Sequence, residues 1–393
     1  MDIQNVQFAS RFNGLSGSAI REIFKLLARP GMLSFAGGNP AEDALPDAEV
    51  AEIARRVLTE DGKRILQYGA TEGYPPFLEA MYPYVKENFG FDAAPGTILP
   101  TTGSTQAMNL LCAALIEPGD AIILEDPTFL GNMQCMKLYQ AKLVPVGSDE
   151  DGMDVDELEE KIKAYHPKLI YTIPTFQNPT GRTLSLERRR RVAELAEQYG
   201  VVVAEDDPYH DLRYAGEALP TIKSLDQSGW VVFMGSFSKV ISPGLRVGFL
   251  AAEPGLLRKC VIAKQSFDLH TGLLNQAICA AYITEGLLQP HIERICVSYR
   301  RQLDTMLEGL SRLSAIEWYT KPQGGLFIFA SLKAGMDALK LLPQAVDRGV
   351  AYVPGTHFYA EGGHESTLRL NFSKCTPEEI RRGMELLDLA FRA

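Results

Sequence analysis

Residues 230–239 read WVVFMGSFSK, an apolar run that ends in a serine-rich turn and a lysine. The apolar part does not alternate with polar residues, which is typical of a strand covered on both faces. A charged lysine is costly to bury at the end of such a strand. Burial would lower the pKa of Lys239 and make its amine a nucleophile toward carbonyl groups, although a lysine after Ser-x-Ser taken alone is ordinary and has a purely structural reading. Arg246 follows seven residues later, close enough to share an anion with Ser236 and Ser238.

Similar apolar runs recur along the middle of the chain, at residues 121–124, 169–173, 201–204 and 247–250. Segments with helical periodicity lie between runs, among them Ser104–Leu115 and Leu186–Tyr199. This alternation of strand and helix predicts an α/β layer with a largely parallel sheet. Ligands of such sheets bind at the carboxyl ends of the strands, which is where Lys239 falls.

The pattern changes near residue 290, where we predict a second, smaller α+β domain. Helical stretches and strand-like stretches alternate there, at 292–313, 325–329, 338–348, 350–353, 367–371 and 377–391. At the other end of the chain, an amphipathic stretch at 19–27 precedes an extended segment at 33–36. We therefore expect an N-terminal segment (1–40) that packs with the small domain, a large domain (41–288) and a small domain (289–393).

The composition is that of an acidic globular protein. The chain has 393 residues, of which 46% are hydrophobic and 22% charged, and its formal net charge is −10. Such a chain is a poor non-specific ligand for nucleic acid or anionic lipid, and the basic run at 188–191 fits the solvated face of a helix. No apolar stretch approaches the roughly 18 to 20 residues of a membrane helix, and the first residues do not resemble a signal peptide.

The six cysteines are scattered and form no C-x-x-C motif. Their spacing suggests neither a zinc site nor a disulfide framework, so a reducing cytoplasm is the expected location. The histidines likewise lack the spacing of metal ligands, and we predict no metal site. His210 is more simply explained by packing or by a supporting role near the site.

Polar residues also follow two other predicted strands and stand at the start of a predicted helix, and each alone has an ordinary structural explanation. Asp206 either holds a positive charge or caps a loop, and Asn178 lies in a common turn. Ser104 begins a helix whose free N–H groups either serve the cap alone or bind a phosphate. With Lys239 they supply an amine, a carboxylate, an amide and a phosphate site. Pyridoxal phosphate requires this set for its aldehyde, its pyridine nitrogen, its phenolic oxygen and its phosphate.

Eight short motifs in register carry a resemblance to a known family: SFAGGNP (34–40), QYGATEGYPP (67–76), TTGSTQAM (101–108), NPTG (178–181), DDPYHDL (206–212), SFSK (236–239), GLRVG (244–248) and RLNF (369–372). Over essentially its whole length the chain resembles the fold-type I pyridoxal-phosphate enzymes of the class I and II aminotransferase family. It most resembles the subgroup of 2-aminoadipate, kynurenine and multi-substrate aminotransferases. The resemblance implies an aspartate aminotransferase-like α/β fold, with a mostly parallel seven-stranded sheet between helices and a smaller α+β domain.

The implied activity is a ping-pong transfer of the α-amino group of an L-amino acid to a 2-oxo acid such as 2-oxoglutarate. Lys239 is expected to bind the cofactor aldehyde covalently and to act as general base and acid. Asp206 should pair with the pyridine nitrogen, and Asn178 and Tyr209 with the phenolic oxygen. Phe129 matches the aromatic residue that stacks on the ring.

The cofactor phosphate has its own implied set of residues. The resemblance assigns it to the backbone N–H groups of Ser104 and Thr105, with Ser236, Ser238 and Arg246. Tyr68 matches a tyrosine that reaches the phosphate of the neighbouring subunit. That match implies a homodimer with shared active sites.

Substrate recognition is implied for five residues. Arg369 matches the arginine that binds the α-carboxylate as a bidentate fork, which lysine cannot do, and Asn178 and Gly38 lie beside it in the family. Arg21 matches an arginine that contacts the substrate side chain, although it also fits a surface position on a short helix. Asn39 stands where the subgroup usually has leucine, so the usual substrates do not carry over directly. An amide there should favour a side chain with a polar end.

Three competing functions stay open at this point. Ser236 and Lys239 also spell the S-x-x-K signature of penicillin-binding serine acylases, but the companion S-D-N and K-T-G motifs are absent. Aminotransferase-like domains also sense effectors in transcription regulators, although here the aminotransferase pattern begins too early to leave room for a DNA-reading domain. The same cofactor supports β-elimination, decarboxylation or racemisation, depending on which substrate bond stands perpendicular to its ring.

Overall fold

The computed structural model describes residues 7–13 and 31–392. The described part of the chain contains twelve α-helices: α1 Asp47–Ile65, α2 Pro75–Phe89, α3 Ser104–Leu115, α4 Leu130–Leu138, α5 Val155–Tyr165, α6 Leu186–Tyr199, α7 Ile222–Leu225, α8 Pro254–Phe267, α9 Leu273–Thr284, α10 Leu288–Leu310, α11 Ala338–Asp347 and α12 Pro377–Phe391. It contains fifteen strands: β1 Leu33–Ser34, β2 Ile98–Thr101, β3 Ala121–Glu125, β4 Lys142–Val146, β5 Ser148–Asp149, β6 Gly152–Met153, β7 Leu169–Thr172, β8 Val202–Asp207, β9 Val231–Ser236, β10 Gly248–Ala251, β11 Ile316–Tyr319, β12 Phe327–Leu332, β13 Val350–Ala351, β14 Val353–Pro354 and β15 Thr367–Asn371. The amphipathic stretch predicted at 19–27 lies outside the described residues.

A seven-stranded sheet forms the large layer, in the order β2-β10-β9-β8-β7-β3-β4. Its strands run parallel except β10, which is antiparallel to both of its neighbours. Because β7, β8 and β9 are parallel, the segments that follow them emerge at one edge of the sheet. The predicted mostly parallel α/β sheet is confirmed.

Apolar side chains cover both faces of this sheet. Ile123 packs with Leu158 and Val192, on helices α5 and α6, whereas its neighbour Leu124 belongs to the main core on the opposite face. Every residue of β3, β7 and β8 is buried. This double burial explains why the strand sequences are continuous apolar runs without alternation.

Two strands of the sheet did not stand out as apolar runs. Strand β2 contains Pro100, and β4 contains Pro145 and lies at the sheet edge, where its burial alternates. Proline lacks the backbone N–H group that would donate to a neighbouring strand. It is therefore tolerated at the edge of a sheet, where one side of the strand has no neighbour. Helix α6, by contrast, has the predicted bounds, because the Ser185 side chain accepts from the N–H of Arg188 and Gly200 ends the helix in a left-handed conformation.

The C-terminal part contains a four-stranded antiparallel sheet in the order β11-β12-β15-β14, with helices α10, α11 and α12 around it. The stretch predicted as one strand at 350–353 is two short strands with different partners. Strand β13 pairs with β1, and β14 pairs with β15. The pairing of β1 with β13 joins the N-terminal segment to this region, and the division at residues 40 and 288 stays a prediction.

None of the helices in residues 7–13 and 31–392 is both long and apolar enough to cross a membrane.

Candidate active site

The sheet edge formed by the carboxyl ends of β7, β8 and β9 opens into a cavity of about 280 Å³. Thirteen of the fifteen residues singled out from the sequence line it: Gly38, Asn39, Ser104, Thr105, Phe129, Asn178, Asp206, Tyr209, Ser236, Ser238, Lys239, Arg246 and Arg369. They come from the N-terminal segment, from the strands, loops and helix start of the large sheet, and from the C-terminal sheet. Residues far apart in the sequence thus share one solvent-accessible space.

Lys239 lies three residues beyond the end of β9 and reaches into the cavity. Its Nζ donates a hydrogen bond to the backbone carbonyl of Gly38 at 2.7 Å. Burial lowers the pKa of Lys239 to about 8, and the positive charges of Arg369 and Arg246 add to this effect. A sizeable fraction of the amine is therefore neutral near pH 7 to 8 and able to attack a carbonyl carbon.

Asp206 lies within β8 and is buried at the cavity wall. Its Oδ2 accepts from the hydroxyl of Tyr171 at 2.8 Å and from Nδ2 of Asn132 at 3.0 Å, while Oδ1 is buried without a partner. Burial raises the pKa of Asp206 to about 7. An unpaired buried carboxylate oxygen is costly, and a cationic N–H group in the cavity would satisfy it.

Ser104 and Thr105, at the start of α3, also line the cavity. The first N–H groups of a helix have no acceptor within the helix and favour negative charge. The guanidinium of Arg246 lies beside them: Nη2 donates to the carbonyl of Thr102 at 3.3 Å, and Nη1 lies 3.5 Å from Oγ of Ser238. A Cβ atom at Gly103 would collide with this guanidinium, so the backbone approach depends on glycine.

Asn178 and Tyr209 face each other across the cavity floor. Nδ2 of Asn178 lies 3.5 Å from the Tyr209 hydroxyl, while Oδ1 of Asn178 accepts from Nη1 of Arg369 at 2.8 Å. Burial raises the pKa of the Tyr209 hydroxyl, which therefore stays protonated and available as a donor. The neutral donor groups of Asn178 and Tyr209 thus lie next to the positively charged guanidinium of Arg369.

Arg369 comes from β15 and is almost completely buried. Its guanidinium carbon lies 4.1 Å from the ring centre of Phe327 and 4.9 Å from that of Phe358, and Nη2 donates to the carbonyl of Ala36 at 2.7 Å. Burial lowers its pKa to about 10, which leaves it charged at neutral pH. Nε is buried without a partner, so the fork retains donors for a carboxylate.

Phe129 stands just before α4 and lines the cavity. A Cβ atom at Gly131 would lie 2.6 Å from Cζ of Phe129. The missing side chain therefore lets the ring pack against the helix backbone. One residue further, Asn132 reaches Asp206, so the same helix turn positions an aromatic face and a carboxylate.

Two of the predicted site residues are not among those that line the cavity. Tyr68 is 80% exposed, and its ring meets the edge of His270 with the ring centres 6.2 Å apart. Leu66, Phe267 and Leu269 are further exposed apolar side chains in the two segments that carry Tyr68 and His270. Arg21 lies outside the described residues.

Several residues that support the site have little or no recognisable signal in the sequence. Tyr171 had a weak signal, because a hydroxyl within a buried apolar strand needs a partner. Asn132, Phe327 and Phe358 had none, since their roles depend on contacts between distant segments. His210 has a supporting position: Nδ1 lies 3.1 Å from Oδ2 of Asp207. In the part of the chain that the structure describes, no group of three or more histidine, cysteine or acidic side chains is arranged to hold a metal ion.

The residues present fit pyridoxal phosphate, because each of its polar groups has a matching feature. The unpaired Oδ1 of Asp206 fits the pyridine N–H, and the helix start with Arg246 fits the phosphate. Lys239 fits the aldehyde, and the Asn178–Tyr209 pair fits the phenolic oxygen. The remaining donors of Arg369 are then free for a substrate carboxylate.

Comparisons with known proteins agree with this chemistry. The sequence profile of aminotransferases class I and II matches residues 30–387. An aromatic-amino-acid aminotransferase of Thermococcus litoralis is 41% identical, over 97% of this chain and 93% of that protein. A 2-aminoadipate transaminase of Thermus thermophilus is 42% identical, over 96% of this chain and 94% of that protein. The solved α-aminoadipate aminotransferase of Thermus thermophilus, complexed with N-(5′-phosphopyridoxyl)-L-leucine, is 39% identical, covers 98% of this chain and 97% of its own, and superimposes with a TM-score of 0.90.

Proposed function

The chain belongs to the class I and II aminotransferase family and is a transaminase that depends on pyridoxal phosphate; we propose that the cavity around Lys239 is its active site. The observation that carries this proposal is the convergence of three groups on one cavity. These are the amine of Lys239, the unpaired carboxylate oxygen of Asp206 and the buried fork of Arg369. They supply the covalent anchor, the ring-nitrogen partner and the substrate clamp that the reaction requires.

When bound, pyridoxal phosphate supplies an electron sink that stabilises negative charge at the substrate Cα. Asp206 would hold a proton at the pyridine nitrogen, and its own burial favours the pairing. The phosphate would be held by Ser104, Thr105, Ser236, Ser238 and Arg246. Phe129 would pack against the cofactor ring. Asn178 and Tyr209 would donate to the phenolic oxygen.

Lys239 has two duties in the proposed mechanism. Its lowered pKa provides the neutral amine that binds the cofactor aldehyde in the resting enzyme. Once an amino acid has displaced it, Nζ would take the proton from the substrate Cα, hold it as an ammonium group and later release it as the general acid. A base needs a pKa near the working pH for this exchange.

Arg369 would orient the amino acid through its α-carboxylate. Its guanidinium is held in place before the substrate arrives. The rings of Phe327 and Phe358 lie against it, and the side-chain oxygen of Asn178 and the carbonyl of Ala36 accept its hydrogen bonds. A fixed fork loses little entropy on binding and sets the direction of the Cα–H bond. Decarboxylation requires the bond from Cα to the carboxylate to be aligned instead, so this clamp would favour transamination over decarboxylation. β-Elimination and racemisation also begin at the Cα–H bond, and the half-reaction products distinguish them from transamination.

For the amino donor we propose an L-amino acid whose side chain ends in a polar group, with 2-oxoglutarate as the amino acceptor. Asn39 lines the cavity, at the position where the subgroup that the chain resembles usually has leucine. The similar proteins include an aromatic-amino-acid aminotransferase and a 2-aminoadipate transaminase. Among the candidate donors, 2-aminoadipate and kynurenine have such a polar end, and aromatic and branched-chain amino acids are the alternatives. Arg21 would contact an acidic end of the side chain.

We further propose a homodimer in which Tyr68 completes the partner's active site. The exposed side chains Leu66, Tyr68, Phe267 and Leu269 support this arrangement, because exposed apolar residues favour a protein contact. The six free cysteines support a reducing, cytoplasmic location.

The decisive experiment is a half-reaction with a panel of amino donors. The holoenzyme is mixed with 2-aminoadipate, kynurenine, aromatic, branched-chain or acidic amino acids without an acceptor, and the cofactor absorbance is followed. A transaminase at this site converts each bound cofactor to pyridoxamine phosphate with one equivalent of 2-oxo acid. Carbon dioxide, ammonia release or a racemised donor would contradict it.

The Lys239→Ala variant is the matched control for this experiment. It should hold the cofactor through the phosphate site but show no turnover. Borohydride treatment should label Lys239 in the wild-type protein and leave the variant unlabelled. Substantial turnover in the variant would assign the chemistry to another residue.

A further inference from the structure

A polar cluster lies directly behind the start of α3 and takes no part in the mechanism above. Its centre is Lys264, on α8, whose side chain is fully buried. Nζ of Lys264 donates to Oε1 of Gln106 at 2.7 Å and lies 2.9 and 3.1 Å from the two carboxylate oxygens of Asp268. A lysine is rarely buried unless it is paired, so this position requires an explanation.

The cluster ties down the loop between β2 and α3. The N–H of Thr102 donates to Oε1 of Gln106 at 2.8 Å, and the Thr102 hydroxyl donates to Oδ2 of Asp268 at 3.0 Å. Nε2 of Gln106 donates to the same Asp268 oxygen at 2.6 Å. The carbonyl of Thr102, on the other side, accepts from Arg246. The loop is therefore held from behind by Lys264 and Asp268 and from the cavity side by Arg246.

The charges explain why the cluster needs its lysine. Asp268 is the acceptor that gathers Thr102 and Gln106, but a carboxylate near an anion site would repel the anion. Lys264 compensates that charge at hydrogen-bond distance, and the pKa of Asp268 is lowered, in part through this pairing. Removing only the lysine would leave an uncompensated carboxylate behind the loop.

We propose that Lys264 is a positioning residue for the cofactor phosphate. Acting through Gln106 and Asp268, it fixes Thr102 and the first turn of α3. The N–H groups of Ser104 and Thr105 and the guanidinium of Arg246 then converge on one anion before it binds. Such preorganisation raises affinity by reducing the ordering cost of binding. The inference rests on the proposed role of this cavity in holding the cofactor.

The test compares two ligands that differ only in the phosphate group. Cofactor-free wild-type protein and the Lys264→Met variant are titrated with pyridoxal phosphate and with pyridoxal, and binding is followed by protein fluorescence. The variant should bind pyridoxal phosphate about tenfold more weakly, while its affinity for pyridoxal changes less than about twofold. Lys259→Met, at an exposed position of the same helix, should change neither affinity.

The outcomes separate this inference from the function on which it rests. Equal losses for both ligands, or no loss for either, would overturn the positioning role. A wild-type protein without preference for pyridoxal phosphate over pyridoxal would instead remove the proposed phosphate site. If Lys264→Met does not fold, Gln106→Met is judged by the same ratio, because it breaks the contact between Lys264 and Thr102 while keeping the volume of the side chain.

Discussion

The hydroxyl of Tyr171 donates to Oδ2 of Asp206 at 2.8 Å, and Oδ1 of the same carboxylate is buried without a partner. Asn132 adds a second donor to Oδ2. One oxygen is therefore saturated by the protein and the other is left over at the wall of the cavity. This asymmetry is what a site for a cationic ring nitrogen requires, because the protein fixes the carboxylate and leaves one oxygen for the ligand.

Replacing Asp206 should remove most of the catalysis without removing the cofactor. We expect Asp206→Asn to lower the half-reaction rate by at least about 100-fold, because an amide does not hold the proton on the pyridine nitrogen. Tyr171→Phe, which removes one donor and keeps the carboxylate, should lower it about tenfold. Stopped-flow absorbance measures both rates. An unchanged rate in Asp206→Asn would contradict the assigned pairing.

The raised pKa of Asp206 also predicts a pH dependence of stability. Its folded-state pKa is about 7, against an ordinary value of 3.8. Between these values the folded protein keeps a proton that the unfolded chain releases, so this group lowers the free energy of unfolding as the pH rises. The stability of Asp206→Asn relative to wild type, both cofactor-free, should therefore increase by about 1–2 kcal/mol between pH 5 and pH 8. Urea unfolding at the two pH values checks this, and a constant difference would refute it.

The fork of Arg369 should be irreplaceable by a single ammonium group. We expect Arg369→Lys to raise KM about 100-fold for every amino donor, because lysine cannot make two parallel hydrogen bonds to the α-carboxylate. The size of the loss should not depend on the donor side chain. Arg348→Lys, at an exposed position, is the control and should leave KM unchanged. A loss confined to acidic donors would show that Arg369 binds the carboxylate of the donor side chain and not the α-carboxylate.

The proposed homodimer with shared sites predicts that two variants, each inactive alone, restore activity when they are mixed. A mixed dimer of Lys239→Ala and Tyr68→Ala would contain one site with both residues intact. Random exchange of subunits should then recover about one quarter of the wild-type activity, since half of the dimers are mixed and each has one intact site. Activity measured after mixing and subunit exchange provides the test. No recovery despite a mixed dimer would show that Tyr68 serves its own subunit.

Asn39 should set the preference for polar over apolar donors. We expect Asn39→Leu to raise kcat/KM for leucine relative to 2-aminoadipate about tenfold. An apolar donor leaves the amide of Asn39 without a hydrogen-bond partner in the wild-type protein, and the variant has no such amide. Arg21→Gln should weaken acidic donors more than apolar ones. Competition between the two donors in one reaction measures each ratio directly, and an unchanged ratio would exclude the residue from the side-chain pocket.

Much of the large domain could be predicted because its strands are buried on both faces. Burial makes the sequences of β3, β7 and β9 continuous apolar runs, and these runs lead directly to the chemistry at their ends. Strand β2 and the edge strand β4 lack that signal because of their prolines. The helix bounds at 104–115 and 186–199 were predictable because helices are specified by local periodicity and caps.

The sequence alone determined the chemical inventory, because Lys239, Asp206, Asn178 and Arg369 belong to short motifs and motifs are local. Tertiary structure alone decided which atoms are left unpaired. Oδ1 of Asp206 is free because Tyr171 and Asn132 take Oδ2, and Nε of Arg369 is free while Asn178 and Ala36 take its other nitrogens. Those partners lie 35 to 333 residues away along the chain, so only folding brings them within hydrogen-bond distance.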